Sequence, residues 1–131
     1  MPELYEIKEE KEKVILVGVC TAGQEDSVAS LDELEDLAKT AGAVCVGRLI
    51  QNRENIHPGT YLGSGKVNEL SALIEETQAD GIICDDELSP AQLKNLEELL
   101  HVKIMDRTLV ILDIFASHAN TSEGKIQVEL A

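Results

Sequence analysis

Aromatic residues are nearly absent. Tyr5, Tyr61 and Phe115 are the only three in 131 residues, and there is no Trp. Platforms that stack single-stranded bases need several aromatics, so that mode of nucleic-acid binding is excluded. Basic residues are also scarce. Eleven Lys and Arg face 25 Asp and Glu, a net charge of −14. Affinity for a phosphate backbone comes mainly from Lys and Arg, so tight binding by the chain as a whole is disfavoured. Cysteines number three, Cys20, Cys45 and Cys84, with no Cys-x-x-Cys pair. That leaves no zinc-ribbon or thioredoxin-like pattern, and the expected role of all three is that of small buried hydrophobes. No apolar run approaches the roughly 18 residues of a membrane span. The charged start, Met1 to Lys13, lacks the apolar stretch of a secretory signal. These features point to the cytoplasm.

What remains is a core of Leu, Ile, Val and Ala on a chain of single-domain size. Four apolar segments of strand length alternate with helical patterns. Val14–Val19, Ala43–Gln51, Gly81–Cys84 and Val102–Met105 read as strands. In the second, Val44, Val46 and Arg48 alternate with Cys45, Gly47 and Leu49. Leu31, Leu34, Leu37, Ala38 and Ala41 recur at helical spacing behind Ser30 and Glu33, a capping-box pair, and Gly42 ends that helix. Helices also fit Lys66–Thr77, the stretch opened by Ser89-Pro90 with Gln92, and Leu109–Ala119. A fifth begins at Ser122 and has no stop signal by Ala131, which suggests a longer protein. Strand–helix alternation implies an α/β fold, an open four-stranded parallel sheet with helices on both faces. Strands one and three are apolar throughout, so they belong inside; strands two and four carry Arg48 and Lys103 and belong at the edges. The expected order is 2-1-3-4. The expected organisation is a charged leader over 1–13, the α/β subdomain over 14–120, and the start of a long helix over 121–131.

Three groups of residues invite a chemical reading. Gly63-Ser64-Gly65-Lys66 stands at a loop-to-helix junction, where backbone N–H groups attract anions. It is not a Walker A loop. Thr60 holds the place of the first glycine, and Val67 supplies no hydroxyl for magnesium. It is either a phosphate-contacting turn or a glycine-rich entry to the helix. Asp85 and Asp86 after the third strand and Asp106 after the fourth sit where open sheets bind ligands, so magnesium is one reading and solvated, helix-capping acids the other. Charge is uneven as well. Arg48, Arg53 and Lys66 against Glu54 make residues 47–67 the one net-positive stretch. His57, His101 and His118 have no ligand-like spacing. No catalytic residue and no metal site of standard spacing emerges.

Longer blocks carry a resemblance. Asp85-Asp86-Glu87-Leu88-Ser89-Pro90-Ala91-Gln92, Asp106-Arg107-Thr108, Ile111-Leu112-Asp113-Ile114-Phe115-Ala116 and Glu123-Gly124-Lys125-Ile126-Gln127-Val128-Glu129-Leu130-Ala131 resemble, in order, the HflX family of translational GTPases. Tyr61-x-Gly63-x-Gly65-Lys66-Val67 and Val17-Gly18-Val19 with Gln24 fit the same family. The resemblance implies an N-terminal domain ending where a long helical hairpin begins, followed by a GTPase domain that would hold GTP and magnesium. It implies a whole protein that binds the large ribosomal subunit and its RNA and splits or rescues stalled ribosomes. In that family the RNA contact is made chiefly by the hairpin, and ATP-related activity has been attributed to the N-terminal region. Residues 1–131 carry no GTPase motif, and Ser117, His118, Asn120 and Ser122 stand where many members are basic. The candidate ribosome contacts are then Arg48, Arg53, Lys66 and Lys125, and the isolated chain is expected to be a monomer or a weak dimer.

Overall fold

The computed structural model describes residues 11–21 and 27–116. Strand β1 (Glu12–Cys20) leads to helix α1 (Ser27–Thr40), β2 (Ala43–Asn52), α2 (Ser64–Thr77), β3 (Gly81–Cys84), α3 (Pro90–Leu100) and β4 (Lys103–Asp106). A last helix, α4, covers residues 107–116. Of the charged leader only Lys11, Glu12 and Lys13 are described; the rest of it, the segment over 121–131 and Lys125 fall outside the described residues.

All strand pairs are parallel and the order is β2-β1-β3-β4, as the apolar patterning predicts. The chain moves one way from β1 to β2 and the opposite way from β2 to β3 and on to β4. Parallel crossovers are right-handed, so reversing direction puts the crossing helix on the other face. The core accordingly splits in two. Ile15, Val17 and Val19 of β1 meet Val67, Leu70 and Ile74 of α2 and Leu96 and Leu100 of α3. Val14 and Leu16 meet Leu31, Leu34 and Ala38 of α1 and Val110 of α4.

Helix ends follow local chemistry. At α3, Ser89 accepts from the Gln92 N–H at 3.1 Å and Gln92 Oε1 accepts from the Ser89 N–H at 2.8 Å, with Pro90 at the first position: the expected capping box. Gly42 leaves α1 at φ +95°, a conformation open to glycine. Gln78 and His101 close α2 and α3 in the same left-handed region, stops that composition alone did not flag.

Three expectations are corrected. Helix α1 starts at Ser27, so Ser30 is not its cap; its hydroxyl donates instead to Asp85 Oδ2 at 2.6 Å. The alternation in β2 is broken. Val14 pairs with Cys45 and Ile15 with Gly47, which leaves Val46 as a bulge. An extra residue reverses the parity of everything after it. Ala43 and Cys45 therefore share the α1 face with Ile50, while Val46 and Leu49 face α2. Of the cysteines, only Cys84 is fully buried; Cys20 and Cys45 are half-buried.

Strands β3 and β4 approach closely at Gly81, where an added Cβ would lie 2.7 Å from the Lys103 carbonyl oxygen. Gly81→Ala is expected to cost about 1–3 kcal/mol, because backbone rather than a flexible side chain must yield. Urea unfolding midpoints for the two proteins check this.

Candidate functional site

The positive loop and the acidic strand ends lie at the carboxyl end of the sheet. Between β2 and α2 the chain is held by its own polar groups. His57 and Tyr61 pair backbone to backbone, and His57 Nδ1 accepts from the Gly59 and Thr60 N–H groups at 3.0 and 3.1 Å. Helix α3 fastens the loop from the side. Gln92 donates to the His57 carbonyl and Asn95 to the Gly59 carbonyl, each at 2.8 Å. Tyr61 is fully buried at φ 68°, unusual for a residue with a bulky side chain. Its hydroxyl donates to Asp86 Oδ2 at 2.6 Å, which ties the loop to the end of β3. Burial foremost, then Cys84 and the Asp86 carboxylate, hold this phenol far above its usual range, so it stays protonated and donates.

The expected cations have distinct fates. The bulge at Val46 aims Arg48 at α1, where it meets Asp32 Oδ1 and Glu35 Oε1, both at 2.7 Å. Those hydrogen bonds raise the guanidinium's pKa and lower that of Glu35. Lys66 lies 2.9 Å from Glu69, one turn along α2. Arg48 and Lys66 flank one open groove of about 480 Å³, floored by Leu49, Ala72 and Leu73. Arg53 differs. Its Nε donates to the Asn55 carbonyl at 2.9 Å, and among the described residues no carboxylate forms an ion pair with it. Its guanidinium crosses Gly63 so closely that a Cβ there would lie 2.6 Å from Nη1. Only glycine leaves room for that approach.

Gly63 is the cap of α2, with no side-chain cap, and its N–H donates to Gln51 Oε1 at 2.8 Å. The first amide of the Gly63-Ser64-Gly65-Lys66 turn is thus engaged inside the chain. With Val67 in place of a hydroxyl residue, the turn does not fit a nucleotide triphosphate and its magnesium.

The three strand-end acids are also engaged. Asp106 is buried and accepts from the Leu88 N–H at 2.8 Å and the Leu109 N–H at 2.9 Å, capping α4. Asp86 holds Tyr61. Asp85 accepts from Ser30 and pairs with Arg107 Nη2 at 2.6 Å. Arg107 reaches further, to Glu33 at 2.8 Å and to the Ser30 carbonyl and hydroxyl at 3.1 Å. Burial opposes its charge, but the bonds to Asp85 and Glu33 prevail and raise its pKa. Among the described residues no three His, Cys, Asp or Glu side chains are grouped to hold a metal ion. Cys84 lies beneath this cluster; burial first, then the charges of Asp106, Asp86 and Asp85, push its thiol well up, which disfavours a thiolate nucleophile. Arg107 is the hub that spacing did not single out. The available signal was a lone arginine directly after a strand-end aspartate.

A family model for the N-terminal region of GTP-binding GTPases ("GTP-binding GTPase N-terminal") matches residues 28–116. The GTPase HflX of Lacrimispora saccharolytica is 67% identical over 131 residues, all of this chain and 31% of that protein. The chain belongs to the HflX family. It corresponds to the N-terminal part of HflX and spans about a third of the length of the curated relatives it matches. The HflX of Caldanaerobacter subterraneus subsp. tengcongensis is 47% identical across 98% of this chain, and that of Escherichia coli K12 is 40% identical across 92%. A crystal structure of SsGBP in complex with GDP shares the fold, with a TM-score of 0.62 at 21% identity over 90% of this chain and 33% of that one. No described helix of this HflX segment is long and apolar enough to cross a membrane.

Two outcomes follow from the geometry. Tyr61→Phe leaves Asp86 without its donor and should lower stability by about 1–2 kcal/mol while keeping the fold, as read from denaturant midpoints with circular dichroism. Glu35 is held below its usual 4.5 by Arg48. A lowered folded-state pKa stabilises above the unfolded value and is lost as pH falls through the folded one. Stability should therefore fall less between about pH 7 and about pH 3 in Arg48→Met than in the unaltered chain. The difference should be only a few tenths of a kcal/mol, since the pair is partly exposed.

Proposed function

We propose that this chain is the ribosome-facing N-terminal module of an HflX-type GTPase that works in the cytoplasm, binds the large ribosomal subunit, and splits or rescues stalled ribosomes. The observation that carries the reading is the 67% identity to a GTPase HflX across all 131 residues. GTP and magnesium would be held by the part of the relatives that this chain does not span. The module's own contribution is a rigid sheet end on which a loop is fixed.

Electrostatics supports a graded role for the candidate cations. Arg48 is neutralised by two carboxylates and serves α1 packing. Lys66 shares its charge with Glu69. Among the described residues Arg53 has a carbonyl partner and no carboxylate one, so it keeps the most charge for a phosphate. With a net charge of −14, the module adds orientation and a few backbone contacts, and most of the affinity comes from elsewhere in the protein. Shape and backbone are read rather than bases, since the buried Tyr61 is the only aromatic of the loop.

Co-sedimentation of the full-length protein with large subunits tests this. Arg53→Glu together with Lys66→Glu and Lys125→Glu should weaken binding about tenfold and flatten its salt dependence, whereas Arg48→Gln should leave binding unchanged. Unaltered binding by the triple variant rejects the loop as a contact. Failure of the unaltered protein to sediment with large subunits in any nucleotide state rejects the reading itself.

A further inference from the structure

Helix α4 is amphipathic in an unusual sense, because both of its sides are apolar. Val110 is buried and Ile114 packs with it against the α1-side core. On the opposite side Leu109, Leu112 and Phe115 are 39%, 56% and 67% exposed. Their spacing of three residues puts them on one flank of the helix, with Ala116 exposed beside them. Phe115 is the only phenylalanine of the chain. A chain so poor in aromatics places this one in solvent. Single exposed apolar residues are ordinary, but a contiguous run of large ones marks a contact surface. The other exposed large hydrophobics, Val28, Val44 and Leu99, come from three different elements.

We propose that this flank of α4 is the seat of the same polypeptide's continuation, beginning with Ile126, Val128 and Leu130. Two observations select that occupant. The matched relatives are about three times as long as this chain, so in them further polypeptide has to be accommodated beside it. After residue 116 the sequence runs through polar and turn-forming residues, Ser117, His118, Asn120, Thr121, Ser122 and Gly124, before the apolar set starts at Ile126. Ten residues span up to about 33 Å, ample for a return along a helix of about 15 Å. A tethered segment also acts at an effective concentration of about a millimolar, which favours it over a second copy at ordinary protein concentrations. Nothing in this inference depends on ribosome binding.

In the unaltered 131-residue chain, nuclear Overhauser contacts are expected between the Phe115 ring and the methyl groups of Ile126, Val128 or Leu130. Their absence overturns the proposal. In a sample mixing labelled and unlabelled chains, finding those contacts between molecules assigns the surface to a second copy and also overturns it. Ile126→Ser with Leu130→Ser should raise deuterium uptake at amides 109–116 about tenfold, with β1 amides unchanged. Ile126→Val with Leu130→Met should restore protection. Unchanged uptake in the serine variant counts against the proposal, and the contacts in the unaltered chain decide the matter if that variant loosens the whole domain.

Discussion

The burial of β1 on both faces is the constraint on which the rest depends. Val14 to Val17 are inaccessible, alternately to one side and the other. A strand apolar on both sides needs a neighbour along each edge and a cover on each face. Strands β2 and β3 supply the edges, and α1 with α4 and α2 with α3 supply the covers. Crossover handedness then leaves little freedom in which helix goes where. Without aromatic bulk, the packing relies on many branched aliphatic contacts.

A polar clamp at the carboxyl end of the sheet depends on that frame. Arg107, Asp85, Ser30 and Glu33 join α1, the end of β3 and the start of α4; Asp86 with Tyr61 adds the β2–α2 loop; Asp106 closes α4 and the turn before α3. This is the crevice where ligands of open sheets ordinarily sit. Here its groups satisfy one another. Asp85, Asp86 and Asp106 act as structural acceptors, and Arg107, which the sequence did not single out, is held by Asp85 and Glu33. What the clamp achieves is rigidity at the point where the chain enters α4.

The net charge of −14 takes on a different meaning once placed in space. Arg48, Lys66 and Arg107 are all paired with acids, so three of the chain's few cations serve internal order. Arg53 stands apart because a close glycine and a backbone carbonyl, rather than a carboxylate, position it.

Patterning along the chain determined the fold class, the strand order and the capping box at Ser89, because apolar periodicity and caps are local properties. Family membership was legible too, from long ordered blocks such as Asp85 to Gln92. The fates of individual charges were not legible, since they depend on contacts between residues far apart in the chain. The bulge at Val46 moved Arg48 from an assumed free edge onto Asp32 and Glu35. Ser30, with perfect capping-box spacing, turned to Asp85 because β3 ends beside α1. Tyr61 took a left-handed backbone and a buried place because Asp86 awaited its hydroxyl. Sequence sets which faces are apolar, since that is a matter of period. Only the folded sheet decides which polar groups meet, since one extra residue in a strand is enough to turn every later side chain over.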